Sequence, residues 1–146
     1  MSFDDAKRLR ALEDYRVLAT PPEEVFDDIA KLTAQIFGTP ISLVTFVGEK
    51  RQYFKARHGL AIEGTPREHA FCDHAIRADA SLLVPDATTD ERFRANPLVT
   101  GEPGIRFYCG VPLRTPEGQG LGTLCLIDRQ PRTMSPRELA ALEALA

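Results

Sequence analysis

Apolar and polar positions alternate most clearly over residues 105–128. Two runs rich in β-favouring residues flank a Glu117-Gly118 pair, which suits a two-residue hairpin turn because glycine tolerates the positive φ that the turn requires. The pattern predicts a long β-hairpin, and its register can be counted back from this turn. The predicted pairs are Tyr108 with Ile127, Gly110 with Cys125, and Pro112 with Thr123.

The two faces of this hairpin differ in chemistry. One face combines the hydroxyl groups of Tyr108 and Thr123 with Cys125 and the small Gly110, a composition typical of a cavity wall. The other face is almost wholly apolar and is predicted to pack against helices. The hairpin therefore predicts a structural side and a binding side. The apolar face comprises Phe107, Cys109, Val111 and Leu113, with Gly122, Leu124 and Leu126 opposite.

Helical periodicity is found towards both ends of the chain. Residues 4–18 predict a helix with a narrow leucine stripe, and a second helix is predicted from a capping box at Thr20 to a stop at Gly38. Another capping box, at Ser135, predicts a third helix that is still open at residue 146. The stripes are Leu9, Leu12 and Leu18 in the first helix and Leu139, Leu142 and Leu145 in the last. The predicted core face of the second comprises Val25, Phe26, Ile29, Leu32, Thr33 and Ile36.

The middle of the chain predicts short strands joined by irregular segments. Residues 41–47 form a near-continuous apolar run, as expected of a strand that is covered on both faces. Residues 86–103 form a long polar connection, and connections of this length usually have a function. Helices grouped around strands in this order predict an α+β domain. The remaining predictions are a strand at 51–58, a loop at 59–67, helical turns within 68–80 and a strand at 81–84.

Composition narrows the class of protein. The chain has 146 residues, of which 43% are hydrophobic and 27% are charged, as in an ordinary soluble globular domain. A net charge of −3 with interspersed signs gives no footprint for nucleic acid or for an anionic membrane. There is no apolar run long enough for a membrane span and no signal-peptide layout. Three cysteines in no disulfide-framework spacing fit a reducing cytoplasm.

Several segments, in this order and spacing, resemble GAF domains, of the kind at the N-terminus of bacterial sensor histidine kinases and diguanylate cyclases. The resemblance implies a roughly six-stranded antiparallel sheet, with the N- and C-terminal helices on one face. Loops and short helices are expected to cover a small-molecule pocket on the other face. It also implies a ligand-sensing module that is rarely an enzyme. The segments are Ala19–Glu23, Thr65–Ile76, Val84–Ala87, Arg92–Phe93, Asn96–Gly101 and Ile105–Asp128.

The candidate ligand-binding residues lie on the hairpin and in the segments that are expected to cover it. Cys72 and His74 could also bind a soft metal, but they lack the second pair of ligands that a structural zinc site needs. Phytochrome-like GAF domains attach a bilin to a cysteine that histidine follows directly, whereas Asp73 intervenes here. No metal and no cofactor are therefore expected. The candidates are Phe71, Cys72, His74, Asp86, Phe93, Arg106, Tyr108, Thr123 and Cys125.

Some candidates have a second interpretation. Asp86 either faces a ligand or caps a helical turn, and Arg106 either grips an anion or is a solvated residue at the end of a strand. Cys72 and Cys125 could meet across the pocket, which resembles the arrangement in GAF-type free-methionine sulfoxide reductases. Buried cysteine is more often a small hydrophobic residue, so redox catalysis is the less favoured alternative.

The sequence thus predicts a cytoplasmic sensory domain of a bacterial signal-transduction protein, without catalysis of its own. Residues 1–18 are assigned to an N-terminal helix, 19–134 to the GAF core and 135–146 to the start of a C-terminal signalling helix. Expected partners are an unknown small molecule, a second copy joined through the terminal helices, and an output domain. The alternative is a structural dimerisation module whose own side chains fill the pocket.

Overall fold

A computed structural model describes residues 4–15, 24–60, 64–101 and 104–146. Helices over these residues are α1 (Asp5–Tyr15), α2 (Glu24–Phe37), α3 (Phe71–Ala78), α4 (Pro97–Thr100) and α5 (Pro136–Leu145). Strands are β1 (Ile41–Val47), β2 (Arg51–His58), β3 (Gly64–Pro66), β4 (Leu82–Val84), β5 (Phe107–Arg114) and β6 (Gly120–Asp128). Two 3₁₀ turns occupy Arg67–His69 and Ala87–Thr89. The capping box predicted at Thr20 and the position of Leu18 lie outside the described residues.

The six strands form one antiparallel sheet in the order β3-β2-β1-β6-β5-β4, which confirms the predicted fold class. The strands β1 and β6 lie at its centre, and every residue of β1 is buried. The loop predicted over residues 59–67 is wrong in part, because Gly64–Pro66 pairs with β2 as an edge strand. Three residues are too few to show alternation, so this strand leaves no periodic signal.

The hairpin of β5 and β6 has the predicted register, with Tyr108 opposite Ile127 and Gly110 opposite Cys125. The predicted two-residue turn is wrong. Thr115 N–H donates to the Gln119 carbonyl at 2.9 Å, and Gly118 takes the positive φ of +89°. A two-residue turn would have required a positive φ at Glu117, whereas the wider loop places that conformation on glycine alone.

The two faces of the sheet separate as predicted. Alternate β5 residues, Phe107 and Cys109, lie in a cluster with the buried Leu12 of α1 and Leu142 of α5. Tyr108, on the opposite face, lies in a second cluster that is closed by α3 and by the segment between β4 and β5. The helices thus cover one side of the sheet, and the second cluster marks the side where a site is expected.

The face that helix α2 presents to the sheet only partly matches the predicted one. Ile29, Leu32 and Ile36 were assigned to the core, but Leu32 is 54% exposed and Ile36 is 57% exposed. Small residues at Ala30 and Ala34 let α2 approach the sheet closely, so the inward stripe is rotated about the helix axis. The inward positions are Phe26, Ala30, Thr33, Ala34 and Phe37.

The terminal leucines serve mainly the core of the domain. Leu12 and Leu142 are fully buried, and Leu9 and Leu139 pack against the same cluster. Leu145 is 43% exposed. The homodimer therefore stays a prediction, which sedimentation equilibrium of the purified chain would test. The predicted capping box at Ser135 is confirmed, since its hydroxyl accepts from Glu138 N–H at 3.1 Å.

Candidate functional site

A small recess opens between the loop-covered face of the sheet and helix α3. Its volume is about 20 Å³, counted as the space that the centre of a water molecule can reach, which is room for about one water. Half-buried Leu60 and Leu98 form part of its rim. The wall is mainly apolar, with a polar group at one side. It is lined by Leu43, Thr45, Gln52, Phe54, Leu60, Thr65, Phe71, Cys72, Leu98, Ile105, Tyr108, Cys125 and Ile127.

Phe71 in the roof and Tyr108 in one wall line the recess, and Phe93 lies behind Phe71. The ring of Phe71 stacks on Phe93 with 4.0 Å between centroids, and it meets Tyr108 at 5.0 Å. Tyr108 also lies across Gly110, where an added Cβ would come within 2.7 Å of the tyrosine Cζ. The space that glycine leaves on this face is thus filled by Tyr108 itself, and the open volume lies beside the ring.

The polar side of the recess is a hydrogen-bonded group that joins three elements. Gln52 of β2 donates through Nε2 to the Thr65 hydroxyl of β3 at 2.6 Å. The Cys72 thiol of α3 donates to Gln52 Oε1 at 2.7 Å. Each of these buried groups therefore has a partner. The amide of Gln52 fixes α3, the helix that forms the roof of the recess, against the edge of the sheet.

A second polar group lies at the centre of the sheet. The hydroxyls of Thr45 and Thr123 are 3.0 Å apart, and Thr123 N–H donates to Thr45 Oγ1 at 3.1 Å. The Tyr108 hydroxyl lies 3.4 Å from Thr123 Oγ1. Burial raises the pKa of Tyr108 well above its ordinary value, so the phenol remains neutral.

The structure brings four of the nine predicted site residues to the wall of the recess: Phe71, Cys72, Tyr108 and Cys125. Two others lie just behind the wall, Phe93 against Phe71 and Thr123 beside Tyr108. Their roles in ligand binding stay predictions. Three polar residues of the lining, Gln52, Thr45 and Thr65, were not among the predicted site residues. An inward-facing polar residue in β2 was the available signal for Gln52, but Thr65 belongs to the strand that was predicted as a loop.

The remaining three predicted residues lie away from the recess. His74 is exposed, and its ring meets the edge of Phe93 at 4.8 Å. Partial burial against that ring lowers its pKa. Asp86 caps a 3₁₀ turn by accepting from Thr88 N–H at 3.0 Å, which is the structural alternative considered for it. Arg106 donates to the carbonyls of Val99 and Ile105, at 2.9 and 3.0 Å.

The three cysteines are free and buried. Burial raises the pKa of Cys72 and of Cys109 to about 12, and it raises that of Cys125 still further. Sulfoxide reduction needs an attacking thiolate, and these environments disfavour the thiolate. Among the described residues, no group of three or more His, Cys, Asp and Glu side chains is arranged to hold a metal ion.

We expect the native thiols to react with Ellman's reagent at about pH 8 on the order of 10³-fold more slowly than in the unfolded chain, because thiolate is the reacting species. Absorbance traces with and without guanidinium chloride would measure the ratio. A thiol that reacts rapidly in the native protein would instead favour the redox alternative, and Cys→Ser variants would identify it.

Behind the recess, an arginine joins α1 to the roof. Arg67 Nη2 and Nη1 lie 2.8 and 3.0 Å from the two carboxylate oxygens of Asp5, and Arg67 Nε lies 2.9 Å from Asp73. Arg8, which is fully buried, bonds the same Asp5 at 3.0 Å and the Val47 carbonyl at 2.7 Å. The hydrogen bonds from Arg67 lower the pKa of Asp5 to about 2. Each of the two buried arginines is thus paired with a carboxylate.

A model of the GAF domain family matches residues 21–146 of the chain, a range that contains the sheet, the roof of the recess and the C-terminal helix. The chain therefore belongs to the GAF domain family and is a GAF regulatory domain. It is 44% identical over 144 residues to a cyclic di-GMP phosphodiesterase of Pseudomonas aeruginosa. The match covers 98% of this chain but only 24% of that protein. This relative is a phosphodiesterase and not a cyclase, so the comparisons do not support the predicted association with diguanylate cyclases.

Solved structures of low sequence identity share the fold. The GAF domain of an Acinetobacter phosphoenolpyruvate-protein phosphotransferase superposes with a TM-score of 0.71 at 18% identity, covering 99% of this chain and 89% of that one. The free methionine-R-sulfoxide reductase of Neisseria meningitidis gives 0.68 at 19% identity, covering 99% and 87%. At these identities the likeness shows the fold alone. No helix among the described residues has both the length and the apolar character needed to cross a membrane.

Proposed function

We propose that this GAF domain senses a small neutral molecule that binds in the recess under Phe71. The support is the polar side of the recess, called the polar wall below, which is formed by Gln52, Thr65 and Cys72. These residues are neutral hydrogen-bonding groups at one side of an otherwise apolar cavity. Sites with a few convergent polar groups in an apolar lining are typical of small-molecule binding. The arrangement suits an amphipathic ligand with a hydrogen-bonding end and a hydrocarbon or aromatic body.

The chemistry of the lining favours a ligand without charge. Burial keeps Tyr108 and Cys72 protonated. The nearby arginines Arg8 and Arg67 are already held by carboxylates. Burying a charged ligand group without an opposite charge costs several kcal/mol. Cyclic di-GMP, with two phosphates, is therefore a poor fit to this recess.

The small volume of the recess is compatible with sensing. Room for about one water means that a larger molecule enters only if side chains at the rim, such as Leu60 and Leu98, move apart. Such a ligand binds the form with an open rim better than the form with the small recess. This difference in affinity shifts the equilibrium between the two forms towards the open one. The same compactness supports the structural alternative, in which Phe71, Phe93 and Tyr108 simply fill the site.

We further propose that the domain regulates an enzyme of cyclic di-GMP turnover. The support is the 44% identity to a cyclic di-GMP phosphodiesterase, of which the matched part is about a quarter. The output domain would then be a phosphodiesterase and not a cyclase. The route to it through α5, as expected from the sequence, stays a prediction.

Native mass spectrometry of the chain purified from its own host would test ligand binding. We expect a bound small molecule in the wild type and in Leu83→Trp, whose half-buried side chain packs on the helix-covered face. Leu98→Trp places an indole at the rim of the recess and should lose the bound mass. NMR titration with benzamide and benzoate compares charge at nearly constant shape, and we expect benzamide to bind at least about tenfold more tightly.

Two outcomes would contradict the proposal. Absence of any bound molecule, together with no benzamide shifts around Gln52, would favour the structural alternative. Tighter binding of benzoate than of benzamide would leave sensing in place but reject the neutral class of ligand.

A further inference from the structure

We propose that Arg67 couples the recess to helix α1, so that a displacement of the roof helix α3 changes how α1 docks on the sheet. This inference rests on the proposed sensing function, and it names the residue that carries the response. Arg67 touches no ligand in this scheme. It is a positioning residue between two elements that are far apart in sequence.

Residues that precede and follow Arg67 in the sequence belong to the polar wall. Thr65, whose hydroxyl accepts from Gln52, lies two residues before Arg67. Cys72, whose thiol donates to the same Gln52, directly precedes Asp73, the roof carboxylate that Arg67 binds. A ligand that pushes Cys72 away from Gln52 therefore moves one of the two carboxylates that Arg67 holds.

Arg67 also binds helix α1, through a bidentate contact with a carboxylate. Both of its terminal nitrogens bind the Asp5 carboxylate, within 3.0 Å. Nη1 also lies 3.3 Å from the Gly48 carbonyl and 3.4 Å from that of Glu49, in the turn between β1 and β2. The guanidinium is planar and rigid, so it cannot follow Asp73 and keep the Asp5 geometry at the same time. Movement of the roof must either draw α1 along or break the pair.

A second path from the roof leads to α5, and it is weaker. Ser81, just after α3, donates to Glu143 of α5 at 2.9 Å, but this contact is exposed. Exposed polar contacts hold a geometry poorly, because water replaces them at little cost. The side chain of Arg67 is only 10% exposed, and its two aspartates are 35% and 16% exposed. The better-shielded contact favours α1 as the responding helix.

Amide hydrogen exchange can test the coupling without a ligand. Cys72→Val removes the thiol donor to Gln52 and so mimics a disturbance of the polar wall. We expect it to speed exchange of the α1 amides at least about fivefold, the lower end of measured coupling between sites, while the α5 amides change less. In the Arg67→Gln background, Cys72→Val should cause no further change in α1. Arg77→Gln is the matched control, because exposed Arg77 binds the other oxygen of Asp73 at 2.7 Å; the response of α1 should persist in it.

Two further variants distinguish an effect on this route from a general loss of folding. Thr65→Val disturbs the same wall from β3, and Asp5→Asn cuts the link from the α1 side. NMR titration provides a separate readout: the pKa of Asp5, about 2 in the wild type, should rise towards its ordinary 3.8 in Arg67→Gln. The sign follows because Arg67 stabilises the charged carboxylate.

An α1 response of equal size in the Arg67→Gln background would overturn the proposal, and so would a response confined to α5. If the recess binds benzamide but α1 does not respond through Arg67, sensing stands and this route is wrong. If no molecule binds but Cys72→Val still alters α1 through Arg67, the coupling stands and sensing fails.

Discussion

Replacing Gly122 with alanine should destabilise the domain by about 3 kcal/mol or more, a large share of the 5–15 kcal/mol typical of a folded domain. Gly122 lies in β6 at the centre of the sheet, where β6 pairs with β1. A Cβ at this position would collide with the Thr45 carbonyl group and come within 2.8 Å of Phe46 Cα. Backbone atoms cannot rotate away as side chains can, so the two central strands would have to separate.

Gly120→Ala is the matched control for this prediction. Gly120 lies two residues earlier in the same strand, and a Cβ there would meet side-chain atoms of Ile76 at 3.3 and 3.4 Å. A small shift of Ile76 in α3 can relieve that contact, and alanine also lowers the entropy of the unfolded chain. Its stability should thus stay within about 1 kcal/mol of the wild type. Urea unfolding followed by circular dichroism measures both variants, and equal losses would refute the role of the backbone collision.

The tight contact at Gly122 also shows which parts of the fold local sequence can predict. Alternation fixed the faces of Phe107 and Tyr108, because a residue of a strand can point only one way or the other. Helix α2 was harder, since its apolar residues form a face broader than the stripe that contacts the sheet. Ile29 and Leu32 compete with Ala30 and Ala34 for the sheet, and only the closeness of α2 to the strands decides between them.

The site was predictable to the extent that it lies on the hairpin. Tyr108 and Cys125 follow from alternation alone. Gln52 had a signal as an inward-facing polar residue of β2, whereas Thr65 required knowledge of the β2–β3 pairing, because a three-residue edge strand has no periodic signature. The pair between Asp5 and Arg67 joins residues 62 apart in sequence. No local pattern marks that contact, because it depends on where α1 comes to rest on the sheet.

The missed residues and the predicted ones form one unit in space. Cys72 was predicted on the recess, while its partner Gln52 and the neighbouring Arg67 were not. Long-range polar contacts of this kind specify how elements are placed relative to one another, whereas apolar periodicity specifies only which side of each element is buried. A regulatory domain depends on the first kind of contact, and these contacts are the least visible in sequence.

Replacing Phe71 with alanine should cost about 3–5 kcal/mol, the usual loss for a fully buried aromatic side chain. The ring is 2% exposed, stacks on Phe93 and contacts Tyr108, so its removal leaves a cavity that is continuous with the recess. Phe54→Ala is the matched control: Phe54 lines the same recess but is only half-buried, so its loss should be less than half as large. Urea unfolding would measure both.

Benzene provides the second readout for Phe71→Ala. An apolar cavity of the size of a phenyl ring binds benzene, and binding to the folded state alone raises the unfolding temperature. We expect saturating benzene to raise the unfolding temperature of Phe71→Ala more than that of the wild type, whose recess has room for about one water and must open to admit a ring. A loss below about 1 kcal/mol without a response to benzene would mean that Phe93 and Tyr108 close the gap. The roof would then be too adaptable to hold a defined ligand site.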